Sequence, residues 1–363
     1  MIIANLSLVN FRSYDKGQFE LDKKTVLVGD NGVGKTNVLE AIYMLATGKS
    51  FRADSEQELI KYNEKLSVIS CQLSINSEIT NLQLSIYDRK RFEVNGVARR
   101  MMDFAGKLKA VLFGPEDIEI ITGSPSKRRK YLDFVLSQKD REYHRSLISY
   151  EKGLRQRNKL LDLIRDENAT RSQLFFWDKL LIKEGNCITE ARERYLKEFE
   201  IRNLKSILEK SRFASEIKSQ FENLKIQYDK SVISEERLNK YEHEEVMAGS
   251  TLVGPHRDDF VINMDNRDIS KYGSRGQQRM AILALKIYEL EYLSFNHLSF
   301  DQKNIDLPVL LLDDVFSELD HRHRDEVLKL ADNHAENGGQ VIMTTADIHL
   351  VPEDGWKVIK LGS

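Results

Sequence analysis

Residues 29–36, GDNGVGKT, constrain the fold of this chain more than any other segment. They match the pattern G-x-x-x-x-G-K-[ST], in which glycines let backbone N–H groups curl around phosphate oxygens without a Cβ clash. A strand-like run, TVLV, precedes the loop, and the amphipathic segment NVLEAIYMLA follows it. The positive end of that helix would point at the phosphates. Because the context is correct on both sides, we predict a P-loop nucleotide-binding fold rather than a chance glycine-rich turn.

The residues of this loop have distinct expected tasks. Lys35 would reach the β- and γ-phosphates, and the Thr36 hydroxyl would bind Mg²⁺. The predicted nucleotide-binding residues are Gly29, Asp30, Asn31, Gly32, Val33, Gly34, Lys35, Thr36 and Asn37.

A second magnesium element is predicted in residues 309–320, VLLLDDVFSELD. Asp313 would stand at the tip of a buried strand and hold the metal directly or through water, and Asp314 could orient or activate the attacking water. The structural alternative is a strand followed by an acidic helix start, where Asp favours the helix dipole. Lys35 and Asp313 are too far apart in sequence for one minimal P-loop domain, which predicts an insertion between them.

Composition locates that insertion. No proline falls between 126 and 254, and the stretch is rich in good helix formers, so 126–250 is predicted as a set of long helices. Residues 66–100 instead alternate in β fashion around the hairpin signal Asn95-Gly96. The expected domains are a discontinuous head of 1–115 and 255–363 and an inserted α-helical lobe of 116–254.

Charge is distributed unevenly along the chain. The totals, 55 Lys plus Arg against 57 Asp plus Glu, give −2 and argue against a uniformly basic nucleic-acid coat. Residues 127–160, however, hold eleven basic and four acidic residues, so this segment carries +7 and the remainder −9. Such a patch could neutralise phosphates, whereas a solvated helix face with internal ion pairs is the alternative. The candidate DNA-binding residues are Lys127, Arg128, Arg129, Lys130, Arg155 and Arg157.

Several function classes are disfavoured by what the sequence does not contain. No apolar window is long enough for a membrane span, and the N-terminal residues do not form a signal-peptide pattern. Cys71 and Cys187 lie far apart in no metal-like spacing, so the expected compartment is the cytoplasm. His256–Asp259, HRDD, is interpreted as an ion-pair cluster in preference to a catalytic site.

A third motif lies between the loop at 29–36 and the magnesium element at 309–320. Ser-x-Gly-Gln at 274–277 opens a helix and resembles the signature loop of ABC-type ATPases, in which one head completes the ATP site of another. An ordinary helix cap by Ser274 is the alternative. Residues 317–320, SELD, look like the D-loop of the same class. The resemblance implies a trans-acting signature of Ser274, Arg275, Gly276, Gln277 and Gln278 and D-loop residues Ser317 and Asp320.

The full set of segments, in order, resembles the RecF family of bacterial recombination-repair proteins, which are related to SMC heads. These segments are LSLVNFRSYD (6–15), GDNGVGKTNVLEAIYMLATGKSFR (29–52), FGPEDIEIITGSPSKRRKYLD (113–133), YEKGLRQRNKLL (150–161), LVGPHRDDF (252–260) and YGSRGQQR (272–279). Only the span from about 165 to 245 lacks a recognisable motif.

The resemblance implies the fold class α/β: a P-loop NTPase of ABC-ATPase type with an N-terminal antiparallel β subdomain and an inserted helical lobe. It implies ATP and Mg²⁺ as ligands, homodimerisation on ATP binding, and sequence-independent binding to gapped or double-stranded DNA. It further implies a weak, DNA-stimulated ATPase that works with RecR and RecO and indirectly helps RecA load, in repair, recombination, replication and the SOS response, at the cytoplasmic nucleoid.

Three positions depart from the wider ABC pattern. Glu116 lies where a Q-loop Gln is expected, Asp314 stands where transporter heads commonly have Glu, and Thr344-Thr345 occupy the place of the switch His. Lys49 and Arg52 could face either DNA or nucleotide. The alternatives are the ATP-binding subunit of an ABC transporter and an SMC-type structural or nuclease-coupled ATPase; the large insertion and the KRRK segment speak against the transporter.

Overall fold

The computed structural model describes residues 1–75, 78–201, 224–294, 306–317, 321–351 and 355–362. They form two compact units. The first unit contains Met1–Asp117 and Leu283–Ser363, and the second contains the described residues between 118 and 282. No helix in these described ranges is long and apolar enough to cross a membrane.

The elements are numbered in chain order. The strands are β1 (Ile2–Phe11), β2 (Tyr14–Glu20), β3 (Lys24–Val28), β4 (Ser67–Ile75), β5 (Glu78–Ile86), β6 (Lys90–Val94), β7 (Val97–Arg99), β8 (Ala110–Phe113), β9 (Leu224–Asp229), β10 (Asp259–Met264), β11 (Arg267–Asp268), β12 (Val309–Asp313), β13 (Gln340–Thr345) and β14 (Lys357–Lys360). The helices are α1 (Lys35–Thr47), α2 (Met101–Phe104), α3 (Glu119–Thr122), α4 (Pro125–Lys139), α5 (Arg141–Arg165), α6 (Phe175–Ile201), α7 (Glu235–Lys240), α8 (Glu242–Ala248), α9 (Ile269–Tyr272), α10 (Arg275–Ser294) and α11 (His321–Glu336).

A parallel sheet in the first unit has the strand order β14-β3-β13-β12-β8. Strands β12 and β13 are buried along their whole length, which explains their continuous apolar sequence. Parallel strands end at one common edge, where Val28 pairs with Thr345 and Asp313 pairs with Thr344. This edge therefore brings together the loop after β3 and the carboxylate that ends β12.

The antiparallel sheet of the same unit has the order β2-β1-β4-β5-β6-β7. Strand β4 alternates buried and half-buried residues, as expected for a sheet with one face in a core. Asn95 and Gly96 both have positive φ, 52° and 74°, which matches the two-residue turn that right-twisted hairpins favour. The β prediction for 66–100 is confirmed.

Helix α1 packs into the hydrophobic core of this unit. Ile42 and Leu45 lie fully buried in one cluster with Leu84 and Leu311. Burial of each such side chain contributes about 1.5–3 kcal/mol, so α1 is firmly held. The loop at its N-terminus is positioned by that packing.

The second unit combines helices α4, α5 and α6 with a sheet of order β11-β10-β9. The Asp140 carboxylate caps α5 by accepting from the N–H groups of Glu142 and Tyr143. The prediction of a set of long helices over 126–250 is wrong at β9, which pairs antiparallel with β10. Because β10 lies beyond the predicted helical segment, the sequence of that segment gave no sign of the partner.

A buried ionic cluster surrounds Arg192 on α6. Its guanidinium donates to Asp133 at 2.7 Å, to Asp258 at 3.0 Å and to the Pro255 carbonyl at 2.7 Å. Arg192 and Asp258 are 2% and 0% exposed. Although burial opposes the charge, the neighbouring acid groups raise the pKa of Arg192 well above its usual value. The HRDD segment thus supplies Asp258 to an ion-pair cluster, as its sequence suggested.

Candidate nucleotide-binding site

The backbone of the loop at 29–36 depends on Gly34. This residue has φ +106°, and a Cβ there would lie 2.9 Å from both the Ser13 Oγ and the Tyr14 hydroxyl. The Tyr14 hydroxyl donates to the Gly34 carbonyl at 3.2 Å, and the Asn37 amide donates to the Ser13 hydroxyl at 3.0 Å. The turn between β1 and β2 therefore supports the loop from one side.

Lys35 begins α1, and its side chain turns back into the loop. Its ammonium donates to the carbonyls of Gly29 at 2.6 Å and Asp30 at 2.9 Å, and the residue is only 7% exposed. The loop thus holds a positive charge beside the N-terminus of α1. Both features favour an anion at this place.

Asp313 meets the loop through two threonines. Its Oδ1 accepts from the Thr36 hydroxyl at 3.0 Å and from the Thr344 hydroxyl at 2.7 Å. Burial raises the pKa of Asp313, and the Thr344 and Thr36 hydrogen bonds, together with the charge of Arg52, oppose that rise. The two residues predicted to hold Mg²⁺ are therefore in direct contact.

Asp314 adopts an uncommon backbone conformation next to this carboxylate. Its φ is +46°, in the left-handed region that non-glycine residues rarely occupy. Its N–H donates to the Thr344 hydroxyl at 3.0 Å. The Thr344 hydroxyl therefore contacts both acidic residues: it donates to the Asp313 carboxylate and accepts from the Asp314 N–H.

A third acidic residue, Asp117, supports the end of β8, where a Cβ added at Gly114 would lie 3.6 Å from the Asp313 Cβ. Asp117 accepts from the Gly114 N–H at 2.8 Å and pairs with the buried Lys286 of α10 at 3.0 Å. Burial raises the pKa of Glu289, one turn further along α10, to about 7. Glu116, which lies near the position expected for the Q-loop, is exposed. The contacts with Gly114 and Lys286 are made by its neighbour Asp117 instead.

The residues present fit a magnesium–phosphate group. Hydroxyl and carboxylate oxygens are the hard ligands that Mg²⁺ prefers, and Mg²⁺ sites commonly use one or two protein ligands with substrate phosphates and water. Within the described residues, no group of three or more His, Cys, Asp or Glu could bind a metal by itself. Thr36 and Asp313 would thus need phosphate oxygens and water to complete the coordination.

A cavity of about 610 Å³ adjoins the loop in the same unit. Ser13 and Asn37 line it on the loop side, with Arg12, Arg52 and Tyr62 elsewhere on its wall. Arg12 is held by Glu40 of α1, a fully buried carboxylate that accepts from it at 2.7 and 2.9 Å. Glu40 of α1 therefore fixes the Arg12 side of the cavity.

The predicted signature residues lie in the second unit. The N–H of Ser274 donates to the side chain of Gln277 at 2.8 Å, and the N–H of Gln277 donates to the Ser274 hydroxyl at 3.2 Å. This reciprocal pair is a capping box at the start of α10. Ser274, Arg275 and Gln277 are exposed, whereas Gly276 and Gln278 are half-buried. The N-terminal turn of the helix is thus both capped and accessible.

The predicted D-loop is only partly described. Ser317 ends the short turn Val315–Ser317, which follows β12, and Asp320 lies outside the described residues.

The six candidate DNA-binding residues differ in their surroundings. Arg157 is 2% exposed and pairs with Asp178 and Glu245, each at 2.7 Å. Arg128 binds both carboxylate oxygens of Asp259. These two guanidinium groups are engaged within the fold.

The other four members of that set are more accessible. Arg129 is half-buried and donates to the Asp258 carbonyl at 2.8 Å, and Lys127 is exposed but pairs with Glu119 at 2.6 Å. Lys130 and Arg155 are exposed. The six candidate residues, which composition alone cannot distinguish, therefore differ in how far their side chains are exposed to solvent.

Sequence reasoning missed the supporting role of Ser13 and Tyr14. Both lie in the NFRSYD segment, which carried the family resemblance without an assigned task. No sequence pattern assigns them this role, because Ser13 and the first residue of β2, Tyr14, meet the loop only in the folded chain.

This chain is similar to proteins of known family over nearly its whole length. The family described as RecF/RecN/SMC N terminal domain matches residues 2–354. The DNA replication and repair protein RecF of Clostridium novyi is 35% identical over 343 residues, covering 90% of each chain. The chain belongs to the RecF family. The RecF of Halothermothrix orenii is also 35% identical and covers 99% of this chain and 96% of its own.

Solved RecF structures agree with this membership. The recombination mediator protein RecF-ATP of the RecFOR pathway has a TM-score of 0.83 and 32% identity to the present RecF-family chain, covering 99% of it and 95% of the solved chain. The RecF-ATPrS structure has the same TM-score and identity. The predicted family and fold class, an α/β ATPase-type head with antiparallel and parallel sheets and a helical lobe, are confirmed.

Proposed function

We propose that this RecF-family chain is an ATP-dependent DNA-binding protein of recombinational repair and replication. The contact of Thr36 with Asp313 at 3.0 Å carries the proposal, because it joins the two elements that a magnesium–nucleotide complex requires. Two relatives, named as DNA replication and repair proteins, support the DNA function. A solved relative named RecF-ATP supports ATP as the nucleotide.

We assign the phosphate site to residues 29–37. When bound, Mg²⁺ would neutralise phosphate charge and polarise the terminal phosphate. Lys35 would exchange its bonds to the Gly29 and Asp30 carbonyls for phosphate oxygens, and Thr36 and Asp313 would orient the metal. Ser13 and Asn37, which lie at both the loop and the cavity, make that cavity our candidate for the nucleoside.

Asp314 is our candidate for positioning the attacking water. Thr344 bonds the Asp314 N–H and the Asp313 carboxylate, and this connection would keep the two acids at a fixed spacing. An Asp side chain is one methylene shorter than Glu and would hold water less well. We therefore expect slow hydrolysis that acts as a timer, and membership of the RecF family leads us to expect that DNA stimulates it.

The signature in our proposal acts across a homodimer. The exposed N-terminus of α10, with Ser274 to Gln278, would face the γ-phosphate held by a second copy, and a helix N-terminus favours such an anion. ATP would then favour the dimer through its higher affinity for the closed state. We assign Ser317 and Asp320 to the D-loop of this site.

The proposed organisation is one ATPase head interrupted by one lobe. We assign 1–115 and 255–363 to the head and 116–254 to the lobe; the second compact unit extends further, to residue 282, and so includes the signature residues of the proposed head. The pathway named for the solved relatives, RecFOR, supports RecO- and RecR-like mediators as partners and RecA as the indirect beneficiary. Such a protein would act on nucleoid DNA in the cytoplasm.

The proposal predicts that DNA affinity depends on ATP and magnesium. Fluorescence anisotropy of a labelled gapped duplex should give at least tenfold tighter binding with ATP and Mg²⁺ than without nucleotide, because only the dimer presents two lobes to one duplex. EDTA should remove the difference. Equal affinity in all three conditions, or no binding at all, would contradict the proposal.

A further inference from the structure

Helix α5 carries a row of basic residues along its solvent-exposed face. Five exposed cations follow each other at separations of four, seven, three and four residues. At about 100° per residue they fall within an arc of about 80°, and at about 1.5 Å per residue they span about 27 Å. These residues, which we call the α5 stripe, are Arg141, Arg145, Lys152, Arg155 and Lys159.

The opposite face of α5 forms the core of the second unit. Tyr143, Tyr150 and Leu161 are buried there. A Cβ added at Gly153 would meet Leu180 and Leu181 of α6, which shows how closely the two helices pack. The α5 stripe is thus on a rigid helix whose orientation is fixed by its other side.

Four of the five stripe cations have no acidic partner among the residues that the structure describes. Arg145 pairs with Glu142 at 3.5 Å, whereas Arg141, Lys152, Arg155 and Lys159 make no ion pair in this part of the chain. Elsewhere in the unit, exposed cations are often paired. The examples are Lys127 with Glu119, Arg165 with Asp162, and Lys197 and Lys230 with Glu193.

The ordinary alternative is a solvated helix face stabilised by pairs three or four residues apart. Lys152, Arg155 and Lys159 are three and four residues apart from one another, so on this face like charges are neighbours. Such an arrangement weakens an isolated helix. A polyanion lying along the helix would relieve that repulsion.

We infer that the α5 stripe is the surface that binds the phosphate backbone of duplex DNA. The inference rests on the proposed DNA function and moves the contact from the engaged Arg128 and Arg157 to the exposed cations of α5. A length of about 27 Å corresponds to about eight base pairs at about 3.4 Å each. Long flexible side chains without a reading element fit a backbone contact that carries no base specificity.

The test removes three charges from the stripe. In the variant Lys152→Gln, Arg155→Gln, Lys159→Gln, the dissociation constant for a 30-base-pair duplex should rise at least tenfold at about 100 mM salt with ATP and Mg²⁺ present. The slope of log affinity against log salt should fall in magnitude by about 2 to 3, since each lost phosphate contact contributes about 0.9. Anisotropy titrations between about 50 and 200 mM salt measure both quantities.

The matched control removes three exposed charges from other elements of the same unit: Lys183→Gln, Arg194→Gln and Lys225→Gln. This variant should keep the wild-type affinity and slope. Urea unfolding of both variants should give midpoints close to wild type, because all six side chains are exposed.

The outcomes distinguish a failure of the proposed DNA function from a failure of the inference about the α5 stripe. If the wild-type chain binds no duplex with ATP, the proposed function itself is wrong. If the wild type binds but the stripe variant retains its affinity and slope, the DNA function stands and the α5 stripe is not its surface. Equal weakening of the stripe and control variants would attribute the effect to net charge and would also overturn the inference.

Discussion

Lys35→Ala is expected to reduce ATP turnover by at least 100-fold. The ammonium lies within the loop, 2.6 Å from the Gly29 carbonyl, and is the one side-chain cation of the 29–36 loop. Removal of one preorganised group that stabilises transition-state charge typically costs about 2.7–4 kcal/mol. Release of phosphate over time, with ATP and Mg²⁺ in excess, measures the loss.

Lys23→Ala is the control for this substitution. Lys23 is exposed and immediately precedes β3, so it lies at the opposite end of the strand from the loop. Its removal should leave turnover within twofold of wild type. Wild-type turnover in Lys35→Ala would mean that the loop is not the site of hydrolysis.

Arg192→Ala is expected to destabilise the second unit by about 3–5 kcal/mol. The substitution leaves the buried Asp258 and the partly buried Asp133 without their cation, and an uncompensated buried charge has a cost of that size. Asp258 would keep its bonds to Ser231 and Tyr228, which cannot replace a positive charge.

Urea unfolding measures this loss within one unit. Trp177 lies in the second unit and Trp356 in the first, so a Trp356→Phe background makes fluorescence report the second unit. Arg194→Ala, an exposed position two residues along α6, should change stability by less than about 0.5 kcal/mol. If Arg192→Ala unfolds at the same urea concentration as Arg194→Ala, the cluster does not stabilise the fold.

The meeting of Thr36 with Asp313 at the edge of the parallel sheet was largely predictable from sequence. Thr36 lies just after the loop that follows the apolar strand β3, and Asp313 is the last residue of the apolar strand β12. A parallel sheet brings such strand ends to one edge. Two short local patterns were therefore enough to predict a contact between residues 277 positions apart. The support that Tyr14 gives to Gly34 was not predictable in this way, because no pattern links the two residues.

The burial of individual side chains in the basic segment 127–160 could not be predicted from sequence. Composition gives the charge of 127–160 but not which side chains face inward. Arg157 and Arg155 have the same side chain two positions apart, yet one is buried against Asp178 and Glu245 and the other is exposed. The acids that engage Arg157 lie far along the chain, so only the folded structure distinguishes the two.

In the proposed mechanism ATP joins two copies of this chain, and the signature of each completes the site of the other. Light scattering of the purified chain with Mg²⁺, before and after addition of ATP, measures this association. We predict twice the monomer mass with ATP, the monomer mass without it, and the monomer mass in both conditions for Ser274→Arg, which places a bulky cation at the exposed helix N-terminus. A wild-type chain that stays monomeric with saturating ATP, or a Ser274→Arg variant that dimerises like wild type, would contradict the account.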